Sequence, residues 1–210
     1  MQLQKSYQSR KKAIRKRLLD FQAVWNEPDE RIFSELAFCF CTPQSKAKSC
    51  WDAVSYLQES GLLYSGSHEE IRKGLHRKVR FHNNKSGYIL HARGIFTEKG
   101  KLSLKKRLLE KGTPFEMREW LVLNLKGIGY KEASHFLRNI GMGKDLAILD
   151  RHILKNLKKH GAIKDVPKTL TPKKYKEIEQ QMAEFSRKVR IPMEEMDLLF
   201  WSEETGEVFK

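Results

Sequence analysis

The sequence has few cysteines and no long run of apolar residues. Three cysteines occur among 210 residues, Cys39, Cys41 and Cys50, and aromatic residues adjoin them. This odd number in apolar surroundings predicts buried free thiols and argues against a disulfide framework or a metal site. No stretch approaches the roughly 18 apolar residues of a membrane span, and the first residues lack the order typical of a signal peptide. We therefore expect an intracellular protein without a membrane partner.

Acidic residues are also scarce relative to basic ones. The chain has 41 Lys and Arg against 26 Asp and Glu, a formal net charge of +15. Such an excess favours a polyanionic partner, nucleic acid first, over a surface that is merely soluble and basic. Residues 1–19 contain no acid at all. This segment either contacts phosphates or forms the solvated face of a first helix, and the sequence favours neither reading.

Apolar residues recur at helical spacing along most of the chain, for example in residues 14–25, 32–40 and 175–185. Alternation typical of strands is nearly absent. Ser67 with Glu70, and Thr113 with Glu116, match the capping box that begins a helix. These patterns predict an all-α protein of about ten short helices.

Glycine and proline breaks between the periodic segments suggest two helical lobes with a cleft between them. Residues 1–42 and 141–210 would form a lobe from the two chain ends. Residues 43–140 would form a middle lobe. No internal repeat or low-complexity linker interrupts this arrangement.

The stretch LKGIGYKEASHFLRNIGMGKDLAILD, residues 125–150, predicts a helix, a tight turn and a second helix within about residues 115–140. Gly127 and Gly129 are expected to permit positive φ and the close approach of a foreign backbone, while Ile128 anchors the turn in the core. The free N–H groups at the second helix's N-terminus can bind a phosphate of DNA. Lys126 would add Coulomb attraction, so we expect the cleft to bind DNA.

These residues resemble the motif of the helix-hairpin-helix DNA glycosylases, Leu-x-Gly-Val/Ile-Gly-x-Lys followed some twenty residues later by Asp. The matching positions are Leu125, Gly127, Ile128, Gly129, Lys131 and Asp150. Three further stretches, TPQSKAKSCWDAV, VRFHNNKSGYI and MDLLFWSEETGEVFK, resemble type-2 8-oxoguanine DNA glycosylase/AP lyases. The resemblance thus covers most of the chain and implies a bifunctional enzyme that excises 8-oxoguanine from double-stranded DNA.

The resemblance implies two catalytic residues, Lys131 and Asp150. An amine that attacks C1′ of the sugar forms a Schiff base and permits β-elimination, provided that desolvation or positive neighbours favour its neutral form. Asp150 would stabilise the developing charge or relay a proton, and it would also cap the helix that follows. A helix over residues 131–140 rises about 15 Å. Residues 144–150 can span about 23 Å when extended, enough to return Asp150 to Lys131.

The resemblance also implies a base pocket and contacts to the DNA backbone. Trp201 and the terminal Lys210 match family positions in the pocket, and Phe81 or Tyr88 could oppose Trp201. Ordinary core packing is the alternative for Trp201. Gln44 is expected near the flipped-out base or the opposite strand, although helix capping explains it equally well. Arg151 and Lys155 are candidate phosphate contacts, and Arg80, His82, Asn84 and Lys85 could contact phosphate or line the pocket.

No cofactor is expected, since the chain lacks the four C-terminal cysteines of the iron-sulfur relatives. A monovalent cation bound by hairpin carbonyls, as in some relatives, is compatible with the sequence. We expect a monomer of the cytoplasm or nucleoid. Two alternatives stay open, a glycosylase/lyase for another damaged base and a non-catalytic helix-hairpin-helix module that binds DNA.

Overall fold

Nearly all of the regular secondary structure is helical, because apolar residues recur every three to four positions and bury one side of most helices. A computed structural model describes residues 2–210. Within them, α4 and α7 are only four and six residues long, so there are twelve helices where the pattern predicts about ten. The elements are α1 (Gln2–Val24), α2 (Asp29–Cys41), α3 (Ala47–Glu59), α4 (Leu62–Ser65), α5 (His68–Leu75), α6 (His82–Phe96), β1 (Thr97–Glu98), β2 (Lys101–Leu102), α7 (Leu104–Leu109), α8 (Pro114–Asn124), α9 (Tyr130–Asn139), α10 (Arg151–Lys159), α11 (Pro172–Val189) and α12 (Met193–Thr205). The all-α prediction is confirmed.

Both predicted capping boxes are present. The hydroxyl of Ser67 accepts a hydrogen bond from the backbone N–H of Glu70, whose carboxylate in turn accepts the N–H of Ser67 at 2.8 Å. Thr113 and Glu116 make the same reciprocal pair at the start of α8. These bonds satisfy N–H groups that a helix leaves free at its first turn, so both helix starts are encoded locally.

The exception to the helical fold is a two-stranded antiparallel ribbon that periodicity does not predict. Thr97 pairs with Leu102, and Glu98 pairs with Lys101. The two turn residues, Lys99 and Gly100, both have positive φ, which matches the twist of a tight hairpin. Each strand is two residues long, too short to show alternation in the sequence.

The three cysteines are buried and free, as predicted. Burial raises the pKa of all three thiols, that of Cys50 to about 11, so they remain protonated near neutral pH. They act as small apolar side chains in the core. Separately, none of the helices in residues 2–210 is long and apolar enough to cross a membrane.

Two hydrophobic clusters form the interior. The first contains α2 and the helices from α3 to α9, and it extends to Leu146. The second joins α1 to α10, α11 and α12 through residues such as Phe21, Ile153 and Phe200. The sequence assigns α2 to the lobe of the chain ends, whereas its side chains pack in the first cluster. Every residue of α2 from Ile32 to Cys41 is buried, so this helix needs neighbours on all sides, which the middle helices supply.

The helix-hairpin-helix motif consists of α8, a turn at residues 125–129, and α9. Ile128 is buried in the first cluster, as expected. Gly127 has a φ of +81°, but Gly129 has a φ of −109°, so only one of the two glycines uses the left-handed region. A Cβ on Gly127 would lie 2.1 Å from the ring of Tyr88, whereas one on Gly129 would meet a flexible carboxylate of Glu132 at 3.3 Å. The glycine requirement in the free protein thus rests on Gly127.

We predict that Gly127→Ala destabilises the protein by about 2–4 kcal/mol, because it combines an unfavourable φ with a clash against a packed ring. Gly129→Ala is the matched control and should cost under about 1 kcal/mol, since its φ is allowed and its neighbour can move. Urea unfolding of the two variants measures the difference. Equal destabilisation by both would contradict this account of the hairpin.

Candidate active site

Lys131 is the second residue of α9, so its side chain leaves the helix beside the hairpin. The side chain is 22% exposed, and its Nζ lies 3.3 Å from Oε1 of Glu132. Within residues 2–210, the carboxylate of Glu132 lies at ion-pair distance from Nζ of Lys131, and the carboxylate of Asp150 does not. The sequence analysis did not assign a role to Glu132, although its adjacency to Lys131 was visible.

Asp150 is the N-cap of α10, as predicted. Its Oδ1 accepts hydrogen bonds from the backbone N–H groups of His152 and Ile153, each at 2.8 Å. Both bonds use the same oxygen, so Oδ2 has no hydrogen-bond partner among the described residues. The capping role therefore leaves one carboxylate oxygen open for a ligand.

The backbone of residues 147–149 leads into Asp150 and is held by two side chains of α11. The Tyr175 hydroxyl donates to the carbonyl of Ala147 at 2.6 Å and accepts from the N–H of Leu149 at 3.3 Å. Oε1 of Glu179 accepts the N–H of Ala147 at 2.8 Å. These bonds satisfy backbone groups of an extended, buried segment and fix the position from which Asp150 starts α10.

A buried ion pair joins this segment to the hairpin. The guanidinium of Arg118, on α8, donates to both carboxylate oxygens of Glu179 at 2.5 and 2.7 Å, and to the hydroxyl of Ser134 on α9 at 3.2 Å. A bidentate pair of this kind restricts both partners in distance and in orientation. Helix α9, which carries Lys131, and the segment that leads into Asp150 are therefore both bound to the Arg118–Glu179 pair.

Lys131 and Asp150 line one cavity of about 680 Å³. This volume is within the range of about 300–1,000 Å³ that is typical of ligand pockets. Its wall combines residues of α3 and α9, helices that pack in the first cluster, with residues of α10 and α12, which pack in the second, so the cavity lies where the two parts of the chain meet. The lining residues are Thr42, Pro43, Gln44, Ser45, Lys46, Ala47, Arg80, Lys131, His135, Arg138, Ile148, Asp150, Arg151, His152, Asp197, Trp201 and Lys210.

Three buried polar residues of the cavity, His135, Arg138 and Asp197, were missed by the sequence analysis. Both ring nitrogens of His135 and both carboxylate oxygens of Asp197 lack a hydrogen-bond partner among the described residues. Arg138 faces Asp197 with a nitrogen–oxygen distance of 3.6 Å, too long for a good hydrogen bond. Unsatisfied polar groups cost free energy when buried, which marks this cluster as a site for a polar ligand.

Burial governs the charge of these residues. It lowers the pKa of His135 well below its usual value, and the nearby cations Arg138, Lys131 and Lys210 lower it further, so this ring is neutral. Burial raises the pKa of Asp197 to about 6, against the opposing effect of Arg138. Asp197 is therefore mostly ionised at neutral pH and acts as a hydrogen-bond acceptor.

Helical spacing was the signal that could have located these residues. His135 and Arg138 follow Lys131 by four and seven positions, so they share its face of α9. Asp197 precedes Trp201 by four positions on α12 and lies on the same face as that residue. Lys131 and Trp201 therefore show which face of α9 and which face of α12 border the cavity.

Trp201 lines the cavity and is partly exposed, so it is not ordinary core. Its ring centroid lies 5.8 Å from that of His152, with the two planes tilted by 50°. Nδ1 of His152 faces Glu204 at 3.4 Å. The indole is therefore supported on one side while it borders the open cavity.

Lys210, the last residue, is buried with its ammonium group 3.5 Å from the ring centroid of Trp51 and 5.2 Å from that of Phe38. The same ammonium is hydrogen-bonded to Glu35, a carboxylate that also binds Arg31 at 2.7 Å. Burial lowers the pKa of Lys210 to about 8, partly offset by the attraction of Glu35. The aromatic rings and the carboxylate hold the side chain in place.

The other predicted residues divide into two groups. Gln44 and Arg151 line the cavity, whereas Lys126, Gly127, Gly129 and Lys155 do not. The hairpin residues lie instead at the N-terminal end of α9, where Gly129 is an N-cap without a side-chain hydrogen bond. The free N–H groups at this end of α9 are accessible to an anion from outside the cavity.

Phe81 does not line the cavity, although the sequence analysis places it opposite Trp201. Its side chain is 49% exposed, and the guanidinium of Arg80 lies over its ring at 4.9 Å. The neighbouring Arg80 takes the position in the cavity wall. Phe81 has a positive φ at the N-cap of α6, a backbone conformation that turns it away from its neighbours and that sequence periodicity cannot predict.

The sequence of this chain is similar to sequences of one known family along most of its length. The sequence model of the family described as 8-oxoguanine DNA glycosylase matches residues 14–191. A relative from Fusobacterium nucleatum, named 8-oxoguanine DNA glycosylase/AP lyase, is 46% identical over 210 residues, covering 100% of this chain and 96% of the relative. A relative of the same name from Methanocaldococcus jannaschii is 38% identical over 206 residues, covering 95% and 93% of the two chains.

Solved structures show the same fold. The crystal structure of the Methanocaldococcus jannaschii 8-oxoguanine glycosylase/lyase in complex with a 15mer DNA containing 8-oxoguanine has a TM-score of 0.88 and 34% identity, and the match covers 100% of both chains. The 8-oxoguanine DNA glycosylase of Thermotoga maritima has a TM-score of 0.88 and 32% identity, covering 100% of this chain and 97% of that one. With similarity extending over every helix that borders the cavity, the chain belongs to the 8-oxoguanine DNA glycosylase family of helix-hairpin-helix proteins.

Proposed function

We propose that this protein excises 8-oxoguanine from double-stranded DNA and cleaves the strand at the resulting abasic site. The observation that carries the proposal is that Lys131 and Asp150 line one cavity next to a helix N-terminus with free N–H groups. Relatives that match the whole chain bear the name of this activity. The net charge of +15 favours association with the DNA backbone.

In the proposed reaction, Nζ of Lys131 forms a bond to C1′ of the damaged nucleotide as the bond from C1′ to the base breaks. The base leaves with the bonding electrons and takes up a proton. The C1′–O4′ bond then breaks as C1′ and Nζ form a Schiff base, and O4′ takes up the proton that the amine releases. Loss of a proton from C2′ forms a C2′–C3′ double bond, and the 3′ phosphate leaves with the electrons of its bond to C3′. Lys131 is suited to this role because it is partly shielded by the cavity yet remains accessible.

Asp150 is proposed to stabilise positive charge on the sugar as the base departs. Its Oδ1 is held by two backbone N–H groups, so the carboxylate has a fixed orientation before the substrate binds. A preorganised charge of this kind needs little rearrangement in the transition state. The open Oδ2 would face the sugar or relay a proton.

For the flipped-out base, Trp201 offers a stacking surface and Asp197 a buried acceptor. Guanine-type bases carry N–H donors on the edge used for base pairing, and a carboxylate with two unpartnered oxygens is suited to accept them. 8-Oxoguanine differs from guanine at N7, which carries a proton in the lesion. We propose that the carboxylate of Lys210 or a nearby carbonyl accepts a hydrogen bond from this N7–H group and is left unpaired by guanine.

Further contacts to DNA are proposed for the hairpin and the rim of the cavity. Lys126, Gly127 and Gly129 would bind a phosphate at the N-terminus of α9. Arg151 and Lys155 would contact the backbone near Asp150, and Gln44 would lie close to the space vacated by the base. Phe81, exposed outside the cavity, is better suited to contact DNA than to stack on the extruded base.

We further propose that the enzyme is a monomer that acts on cellular DNA, in the cytoplasm or nucleoid, without a required cofactor. A monovalent cation at the hairpin fits the backbone there. The carbonyl oxygens of Leu125 and Gly127 accept no hydrogen bond from the described residues, so both are open for ligation. Such a cation would support the phosphate site and would take no part in the bond changes.

We predict that Lys131→Gln abolishes covalent trapping by borohydride on DNA with a single 8-oxoguanine, because no primary amine remains to form the Schiff base. DNA affinity should change less than about threefold, since the backbone contacts persist. Lys126→Gln is the matched hairpin control, and it should retain trapping while weakening binding. Retained trapping by the Lys131 variant would assign the nucleophile elsewhere, and an absence of trapping by the wild type would favour a binding module.

A second prediction concerns the chain terminus. Two residues added after Lys210 should reduce 8-oxoguanine excision by about ten- to a hundredfold, because the proposed acceptor is displaced or loses its charge. Cleavage at a preformed abasic site should be little affected, since it needs no base recognition. The same two residues added before Met1 provide the control. Normal excision by the C-terminally extended protein would refute a role for the terminus.

The pKa of Lys210 gives a third prediction. Because its pKa is lowered to about 8, the ammonium loses its proton as the pH rises through about 8, and its attraction to Glu35 and Trp51 is lost. The ratio of 8-oxoguanine excision to abasic-site cleavage should therefore fall above this pH. Lys210→Arg stays charged and should hold the ratio to higher pH. A ratio in the wild type that is constant through this range would contradict the prediction.

A further inference from the structure

Residues 42–45 form a tight turn at the edge of the cavity. The N–H of Ser45 donates to the carbonyl of Thr42 at 3.0 Å, and Gln44, the third residue of the turn, has a φ of +56°. A hydrogen-bonded turn with proline in second place and a positive φ in third place matches type II, in which the third residue is usually glycine or asparagine. Gln44 is neither, so its backbone occupies a region that its Cβ disfavours.

The packing of Gln44 does not compensate for this conformation. Its side chain is exposed and borders the cavity, as do the three other residues of the turn. Residues in sparsely populated backbone conformations persist where the surrounding structure holds them, and they concentrate at functional sites. The turn is therefore held by contacts from another part of the protein.

Lys85, on α6, supplies these contacts from the interior. Its Nζ donates to the carbonyl oxygens of Cys41 and Pro43 at 2.8 and 2.7 Å, and it lies 3.4 Å from the hydroxyl of Ser45. An ammonium group has three donors, and here it faces three oxygens of one short segment. Only 4% of Lys85 is exposed, and the residue does not line the cavity, so it acts on the turn from behind the wall.

The hydrogen bond to the carbonyl of Pro43 favours one type of turn. Type I and type II turns differ by a rotation of the peptide group between the second and third residues, which reverses the direction of its carbonyl. In this turn that group joins Pro43 to Gln44, and its oxygen is the one that lies 2.7 Å from the ammonium. A type I turn would point the oxygen away from Lys85 and leave a buried donor without this partner. It would also return Gln44 to negative φ and redirect its side chain.

We propose that Lys85 is a positioning residue that keeps this turn in its type II form and thereby holds Gln44 at the cavity for extrusion of the damaged base. The inference rests on the proposed function, in which Gln44 lies close to the space that the base vacates. Extrusion costs unstacking and unpairing energy, and a polar side chain that enters the gap restores part of the lost contacts. A backbone that is held before DNA binds lowers the cost of ordering this side chain.

The test compares two reactions on one duplex in single turnover, excision of 8-oxoguanine and cleavage at a preformed abasic site in its place. The second reaction breaks no base pair, so the ratio of the two rates reports the step assigned to Gln44. Lys85→Met removes all three donors at similar volume and should lower the ratio by about tenfold, the effect of one lost hydrogen bond. Gln44→Gly removes the side chain and should lower the ratio by a similar factor.

Two further variants identify the route of the effect. When residue 44 is already glycine, Lys85→Met should lower the ratio by less than about twofold more, because no side chain remains to be positioned. Gln44→Ala loses the same contacts as Gln44→Gly but keeps a Cβ at positive φ. The glycine variant should therefore unfold at a higher urea concentration than the alanine variant, although its excision is as slow.

Arg93 provides a matched control on the same helix. Its guanidinium also binds two backbone carbonyl groups, those of Leu63 and Gly66, at 3.3 and 2.8 Å, but it does not border the cavity. Arg93→Met should leave the ratio of the two rates unchanged even if it lowers stability. A loss of ratio that follows from lower stability alone would appear in this variant as well.

A wild-type ratio in Gln44→Gly would overturn the inference, and this result is available even if Lys85→Met does not fold. Independent, multiplying effects of the two substitutions would also overturn it, because Lys85 would then act by another route. Equal stability of the glycine and alanine variants would contradict the strained turn. Failure of the proposed function has a different signature, since the wild type would then leave both substrates intact.

Discussion

The arrangement of the active site depends on the buried ion pair between Arg118 and Glu179. Arg118 belongs to the hairpin side of the molecule, and Glu179 to the helices of the chain ends. Glu179 also binds the backbone just before Asp150, while Arg118 contacts the helix that carries Lys131. Removing one partner of such a pair leaves an unpaired buried charge, at a typical cost of about 3–5 kcal/mol. The same interaction thus links the fold of both halves to the relative placement of the two proposed catalytic residues.

The polar interior near the cavity contrasts with this pair, in which both carboxylate oxygens of Glu179 and the two terminal nitrogens of Arg118 are hydrogen-bonded. His135, Arg138 and Asp197 have buried polar atoms that lack hydrogen-bond partners among the described residues. Groups of this kind lower stability in the free protein, and proteins retain them mainly where a ligand or a reaction uses them. The three cavity residues differ from the pair in that they border open space, where a polar ligand can reach them.

Sequence reasoning located the features that are encoded locally. The capping boxes, the hairpin, the N-cap role of Asp150 and the place of Trp201 at the cavity all follow from short patterns or from the family motif. What it missed depends on tertiary packing. Glu132 faces Lys131 through a choice of side-chain rotamer, Phe81 points outward through a positive φ, and α2 joins the middle helices because they cover all its sides. None of these has a periodic signature in the sequence.

The family motif predicts where Lys210 lies but not the interactions that hold its side chain there. The motif marks Lys210 as part of the base pocket, yet its ammonium group faces Glu35 and the ring of Trp51 on the far side of the wall. A side chain held this firmly limits where its own backbone can lie. An arginine would keep the charge but extend the reach, and a shorter residue would leave the rings unfilled. The identity of the side chain at position 210 therefore matters for its packing against the two rings as well as for its charge.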